Sequence, residues 1–431
     1  MSFELTTYLL SEIASKITKG TTPSKKDGGF SDSGVNYIKA ESVGFDGRID
    51  RSKFAFISDD VHHKLKRSQL EVNDILFSMA GVHLGKVGLV EEQHVPANTN
   101  QALALIRPIT SLVNPLYLLY FLQQREVVHF VNNATSQSAQ PNINLKQIGD
   151  LEIRLPPLSV QNKVVDILSS LDRKQVINIE LNLNLESIAQ AIFKSWFVDF
   201  DPVRAKMKGE QPEGMDAATA SLFPEKLVSE TGLPEGWIQS EIGDEVTVVG
   251  GGTPSKKNDD FWVDGHIHWT SPKDLSGVQD KVLLDTASKL TEAGLKKVSS
   301  GLLPVDTVLL SSRAPVGYLA LAKVPMAINQ GYIAMKCEKQ LPPEFVLQWC
   351  VHRMDEIKQR ASGSTFAEIS KKSFKPISVV VPTGEVLSAY QKLVKPLYDA
   401  ITSNARQNEQ LSSLRDTLLP KLLSGELPLS D

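Results

Sequence analysis

A seven-residue segment of this 431-residue chain occurs twice with one residue changed. Gly20-Thr21-Thr22-Pro23-Ser24-Lys25-Lys26 returns 231 positions later as Gly251-Gly252-Thr253-Pro254-Ser255-Lys256-Lys257. The correspondence continues in order. Asp74-Ile75-Leu76-Phe77 answers to Asp306-Thr307-Val308-Leu309, Gly85 to Gly317, Val95-Pro96 to Val324-Pro325, and Asn100-Gln101 to Asn329-Gln330. Pro115 with Tyr117 and Phe121 matches Pro343 with Phe345 and Trp349, and Leu155-Pro156 matches Val381-Pro382. A repeat this long constrains the fold to two copies of one domain-plus-helix unit, with two similar functional sites.

The first copy, residues 1–157, mixes short β-rich runs with turn clusters. Val35–Ile38, Asp74–Ser78, Lys86–Val90 and Ala102–Ile106 read as strands, and Pro115 to about Val131 as one helix opened by proline. From Ser159, a candidate N-cap, to Phe197 the chain contains neither Pro nor Gly. Leu171, Asn178, Leu181, Leu185, Ile188 and Ile192 fall at steps of seven, then three and four, which predicts a heptad seam with one polar member. Such a helix rises about 58 Å at ~1.5 Å per residue, longer than the core of one domain requires. Residues 201–236 form a Pro-, Gly- and Glu-containing connector, and β-rich texture resumes over 237–382. A second helix follows, with Ile401, Leu411, Leu414, Leu418 and Leu422 as its seam. Pro396 is expected to kink it and Pro420 to distort its last turns. The expected fold is α+β: two duplicated α/β domains separated by two long helices in an antiparallel coiled coil with pseudo-twofold symmetry. The boundaries are 1–157, 158–200, 201–236, 237–382 and 383–431.

The Gly-rich turn at 249–257 lacks the G-x-x-x-x-G-K-[ST] spacing of a phosphate loop, and Pro254 stands where a helix would open. His62-His63 and His266-x-His268 lack the companions of a zinc site. There is no G-x-S-x-G elbow, no Gly-rich cofactor loop after a strand and no spaced carboxylate pair. The sequence thus offers no catalytic constellation, metal site or cofactor motif. Cys337 and Cys350 read as two thiols rather than a disulfide. No apolar run reaches the ~20 residues of a membrane span, and the N-terminus lacks a secretory pattern, so a cytoplasmic protein is expected. A net charge of −4 at 22 % charged residues neither demands nor excludes a polyanionic partner, because lysine pairs at 25–26, 256–257, 296–297 and 371–372 would serve if they share a face.

Polar loops recur at matching places and supply the candidate DNA-contacting residues. In the first half these are Thr22, Ser24, Lys25, Lys26, Ser78, Lys86, Asn98, Asn100, Gln101, Ser138 and Gln140. In the second they are Thr253, Ser255, Lys256, Lys257, Ser312, Arg313, Asn329, Gln330, Ser364 and Thr365. Hydroxyls and ammoniums suit phosphate oxygens, while amides and guanidinium form paired bonds to base edges. An ordinary polar surface is the competing reading at each of them.

Lys194-Ser195-Trp196-Phe197-Val198-Asp199-Phe200-Asp201-Pro202-Val203 closes the first long helix. The segment Leu414 to Leu427, with Asp416-Thr417-Leu418-Leu419-Pro420-Lys421-Leu422 at its centre, closes the second. Both resemble the central and distal conserved helical regions of type I restriction–modification DNA specificity subunits, and the resemblance covers essentially the whole chain. It implies two target recognition domains, each reading one half of a bipartite, asymmetric double-stranded DNA site, with the helices setting the spacer. It further implies a non-catalytic subunit with no cofactor of its own. That subunit would recruit two methyltransferase subunits, which bring S-adenosylmethionine, and through them ATP-dependent restriction subunits. Helix-seam and partner-docking residues on this reading are Leu181, Leu185, Ile188, Ile192, Trp196, Phe197, Phe200, Leu411, Leu414, Leu418 and Leu422. A coiled-coil scaffold that tethers proteins without recognising DNA is the alternative.

Overall fold

The computed structural model describes residues 4–81, 84–134, 142–278, 280–363 and 367–427. It divides into two compact units, Met1–Arg173 with Leu411–Asp431, and Lys174–Gln410.

The first unit contains β1 (Thr6–Leu9), β2 (Ala14–Lys19), β3 (Val35–Ile38), β4 (Ala55–Ile57), β5 (Ile75–Ser78), β6 (Val87–Leu89), β7 (Ala97–Thr99), β8 (Leu103–Pro108) and β9 (Glu152–Leu155). The second contains β10 (Ile238–Glu241), β11 (Thr247–Val249), β12 (Ile267–Thr270), β13 (Val282–Leu283), β14 (Ser288–Leu290), β15 (Val308–Ser311), β16 (Leu319–Ala322), β17 (Met326–Ile328), β18 (Tyr332–Lys336) and β19 (Ser378–Val381). The sheets correspond. The order β2-β8-β5-β6 is repeated by β11-β18-β15-β16, which β13 extends, and β4-β3-β7 is repeated by β14-β12-β17. In each three-stranded sheet the central strand pairs in parallel with the last, Tyr37 opposite Asn98 and Trp269 opposite Ala327.

The central strands are largely apolar and pack on both faces. Side chains alternate across a strand, so Ile75, Phe77, Ala104 and Ile106 enter one core cluster while Leu76, Leu103 and Leu105 enter another. The second unit does the same, with Val308, Leu310, Ile333 and Met335 on one side and Leu309, Tyr332 and Ala334 on the other. The four strand segments predicted in the first half all fall on strands.

The helix predicted from Pro115 to Val131 is two helices, Pro115–Leu122 and Arg125–Ala134. The Gln124 amide bonds Phe121 O and the Gln124 carbonyl then opens the next helix by accepting from Val128, so the axis changes direction at the two glutamines. The long helices span Leu158–Phe197 and Gly384–Ser424. Ser159 lies inside the first turn rather than at the cap, since Pro157 O receives the amides of Val160 and Gln161. The second helix is continuous through Pro396 and Pro420, each of which removes one amide donor from the ladder.

The seam of the first helix differs from the heptad expected. Asn178 is buried as expected, but Leu181 and Ile188 are exposed, and Asn182, Glu186 and Ala189 are buried instead. Asn178 Nδ2 donates to Gln407 Oε1 at 2.8 Å and Asn408 Oδ1 at 2.9 Å, and Asn404 Nδ2 donates to Asn182 Oδ1 at 2.8 Å. Tyr398 donates its hydroxyl to Glu186 Oε2 at 2.7 Å. Rising numbers on one helix meet falling numbers on the other, so the pair is antiparallel. A search for leucine and isoleucine misses this seam because several of its buried rungs are amides and a carboxylate hydrogen-bonded across the pair. In the first unit, Asp172 binds Arg415 at 3.3 Å and accepts from the Tyr120 hydroxyl at 2.6 Å.

The connector after the first helix is folded against the second unit. It forms helices Asp201–Met207 and Ala217–Ser221, and Lys206 Nζ donates to Phe223 O at 2.5 Å. Among the described residues no helix is long and apolar enough to cross a membrane.

Glu344 is only 2 % exposed, and its Oε2 has no partner among the described residues. Burial pushes its carboxyl above the ordinary carboxylate range. The native state therefore favours the protonated acid, and the contribution of this group to stability is lost as pH rises through the raised folded-state value. Glu344→Gln is expected to be more stable than the parent at pH 7–8, by on the order of 1 kcal/mol. The gap should close toward pH 4, as thermal melts across that range would record.

Candidate nucleic-acid interface

The repeated turn is built identically in both domains. Thr21 N donates to Thr99 O at 2.8 Å and Gly252 N to Ile328 O at 3.0 Å. A Cβ on Gly20 would lie 2.2 Å from Thr99 O, and one on Gly251 would lie 1.9 Å from Ile328 O, so only glycine permits this approach. Tyr37 Oη donates to Thr21 O at 2.9 Å, and Trp269 Nε1 donates to Gly252 O at 3.0 Å. Two different aromatics thus support one turn geometry, and burial pushes the Tyr37 phenol up to about 12.

The turn and the Asn-Gln loop, far apart in sequence, form one site in each domain. Thr22 Oγ1 donates to Gln101 Oε1, and Thr253 Oγ1 to Gln330 Oε1 at 2.6 Å. Pro23 and Pro254 are buried, whereas Thr22, Ser24, Lys25 and Lys26, and their counterparts Thr253, Ser255, Lys256 and Lys257, are exposed. Further lysines approach the second turn. A Cβ on Gly250 would lie 3.2 Å from Lys371 Nζ, and one on Gly252 would lie 3.7 Å from Lys297 O. Lys296, Lys297, Lys371 and Lys372 are exposed. Of these, Lys371 brings its ammonium to the second turn, beside the exposed Lys256 and Lys257.

Other candidate residues are framework. Asn98 is fully buried; its Nδ2 donates to Leu65 O at 3.1 Å and Ser68 Oγ at 2.9 Å, and its Oδ1 accepts from the His62 ring. Ser78 is fully buried and Ser312 is 3 % exposed. These three are buried rather than exposed in this fold. Asn100 is half-buried, and Asn329 Oδ1 accepts from Gly331 N at 2.8 Å. Gln101 and Gln330 are exposed. Lys86 is half-buried, with its ammonium 4.1 Å from the centre of the exposed Phe45 ring, a cation–π contact that no local sequence pattern announces. Ser138, Gln140, Ser364 and Thr365 lie outside the described residues.

In the second domain the ends of β12, β15 and β17 enclose an open cleft of about 340 Å³, lined by Ser271, Lys273, Ser276, Arg313, Tyr318 and Asn329 with Pro272, Ala314 and Gly331. Of these, Ser271, Lys273 and Ser276 escaped the sequence reading, because the 3-10 turn Pro272–Leu275 and the two serines that flank it carry no signal until the strands are assembled.

The helix residues divide. Trp196, Phe197 and Phe200 are buried and pack with Phe223, Trp237, Phe345 and Tyr390; the Trp196 and Phe223 rings meet edge-on at 4.9 Å. They belong to the core, not to a docking surface, because the connector folds back over them. Leu185 and Ile192 are half-buried against the same core, Leu422 is buried, and Leu411 and Leu418 are half-buried. Leu181, Ile188 and Leu414 are exposed, at 44 %, 49 % and 46 %.

Duplicated α+β domains on two long antiparallel helices define a class by architecture. The family model of the type I restriction modification DNA specificity domain matches the chain twice, over residues 4–187 and 234–413. The chain belongs to that family. It is 28 % identical over 406 residues to the type I restriction enzyme HindI specificity subunit of Haemophilus influenzae, covering 84 % of this chain and 88 % of that protein. It is 26 % identical over 395 residues to the putative type I restriction enzyme MjaX specificity subunit of Methanocaldococcus jannaschii, covering 89 % and 85 %. The crystal structure of a type I restriction-modification system S subunit from M. genitalium shares the fold, with a TM-score of 0.55 at 15 % identity over 100 % of this chain and 97 % of that one.

Proposed function

We propose that this chain is the non-catalytic DNA specificity subunit of a type I restriction–modification complex in the cytoplasm. Each domain reads one half of a bipartite, asymmetric site, and the paired helices fix the length of the unread gap. The observation that carries this reading is one framework used twice with different side chains at matching positions: Lys86 against Tyr318 and Ala80 against Arg313. Equal frameworks place two readers in equivalent surroundings, and unequal loops give them different sequences to read. The proposed domains are residues 1–157 and 237–382, with helical segments 158–200 and 383–431 and a connector between.

The methyltransferase subunits, two per complex, would dock on the helices and bring restriction subunits with them. Ile177, Leu181 and Ile188 fall within about 40° of one another on the helical wheel at ~100° per residue, and all three are exposed. An apolar stripe of this kind supports the docking reading better than the buried aromatic cluster does.

Purified with type I methyltransferase subunits, the chain should direct adenine methylation to one bipartite motif. Methylation sequencing without such a motif would sink the proposal, and gel shifts with no preference for any duplex would favour a scaffold. Lys256→Ala with Lys257→Ala should weaken binding to all duplexes alike. If both lysines contact phosphates, the slope of log K against log salt should become shallower by roughly 2, at ~0.9 per contact.

A further inference from the structure

The duplication allows side chains at one framework position to be compared directly. Ser78 stands opposite Leu103 in the first sheet and Ser311 opposite Tyr332 in the second. One residue on, Ile143 N donates to Met79 O at 2.9 Å and Ile369 N to Ser312 O at 3.0 Å. One further, Ala80 bridges Asn142 and Arg313 bridges Glu368. Ala80 and Arg313 therefore occupy the same place. By the same pairing, Glu41 corresponds to Lys273, since Tyr37 and Trp269 hold equivalent registers.

Of these two positions, only the second domain carries cations at both; the first has Ala80 and Glu41 there, with its lysines at Lys39 and Lys86, where the second domain has Ser271 and Tyr318. Arg313 is half-buried, held where the chain leaves β15. Among the described residues its one ion pair is with Glu368 at 3.7 Å, outside hydrogen-bond range, so the guanidinium fork keeps its donors. Lys273 and Ser276 are exposed on the opposite lining, and Tyr318 and Asn329 complete it. A planar five-donor fork beside an open polar cleft matches the O6/N7 acceptor pair of guanine in the major groove, while a flexible ammonium suits the adjacent phosphate.

We propose that Arg313 reads a guanine in the half-site of the second domain, with Lys273 on the neighbouring phosphate. This rests on the DNA-specificity reading above. The first domain, with Ala80 at the equivalent position, has no such reader there.

The test uses the full chain assembled with its methyltransferase subunits. Parent, Arg313→Ala and Arg313→Lys complexes are compared by methylation sequencing and by binding to duplexes substituted at each position of the parent motif, with thermal melts to establish folding. Both variants should lose preference for guanine at one position of one half-site, by roughly ten- to a hundredfold, and leave the other half-site intact. Arg313→Lys retains the charge but not the fork, so full retention of guanine preference in that variant overturns the proposal. So does uniform weakening by Arg313→Ala with an unchanged motif, which would mark a phosphate contact. A parent motif lacking guanine or its paired cytosine in both half-sites also overturns it. A parent complex with no motif overturns instead the specificity reading beneath it.

Discussion

Glu186→Ala is expected to destabilise the second unit by about 2–3 kcal/mol, because it removes a buried acceptor of several hydrogen bonds and the counter-ion of the half-buried Lys281. Glu186 is 8 % exposed. Its Oε1 accepts from Lys281 Nζ at 2.7 Å and Gln348 Nε2 at 3.0 Å, and its Oε2 accepts from Tyr398. Burial, reinforced by the Glu186 charge, holds the Tyr398 phenol well above its ordinary range and hence neutral. Alanine would leave an ammonium without its counter-ion and two donors short of an acceptor. Glu186→Gln keeps an acceptor and should cost less. Replacing Glu186 by Leu and Lys281 by Met together should recover only the share of the loss due to the unpaired ammonium, since Gln348 and Tyr398 still lack their acceptor. With two units, a single melting temperature is ill-defined, so hydrogen exchange of the 174–197 and 395–410 amides is the direct measure. Protection unchanged in Glu186→Ala would show that the network contributes little.

The second large effect concerns the gap between half-sites. Seven residues inserted into both long helices, after Lys174 and before Leu411, should lengthen the unread spacer of the methylated motif while both half-sites stay the same. Seven residues add roughly 10.5 Å at ~1.5 Å each, about three base-pair steps of ~3.4 Å. They also rotate the following face by only about 20°. The insertion points avoid the Asp172–Arg415 and Asn178–Gln407 contacts, so the pairing on either side is retained. Methylation sequencing reads both quantities at once. Altered half-sites with a constant gap would mean that the helices do not set the spacing.

Much of the domain framework was legible because it rests on local signals. The strands at 35–38 and 75–78 are short β-rich runs bounded by turn residues, and Asn114-Pro115 opens its helix with a cap that accepts from Leu116 N and Tyr117 N. The candidate interface was half legible. The repeated turn and the Asn-Gln loop were both visible as motifs, but their union through Thr22–Gln101 and Thr253–Gln330 spans 79 and 77 residues. Asn98 looked like a reader because asparagine is commonly exposed; it is buried because His62, Leu65 and Ser68 satisfy it. Trp196 and Phe197 looked like a docking surface for the opposite reason, their cover coming from the connector around Phe223 rather than from a periodic partner.

The sequence by itself determined that there are two copies of one domain, where each long helix runs, and which family's motifs close them, since repeats, caps and prolines act through residues close along the chain. Which face of those helices is buried was decided only by tertiary structure. Leucine and isoleucine at heptad spacing favour one stripe, yet Asn182 and Glu186 go inside, where Asn404, Tyr398, Gln348 and Lys281 supply partners. Likewise, that Ala80 and Arg313 share one position follows from strand pairing, not from spacing along the chain. Burial of a polar side chain depends on what it meets there, and the groups it meets lie far away in sequence.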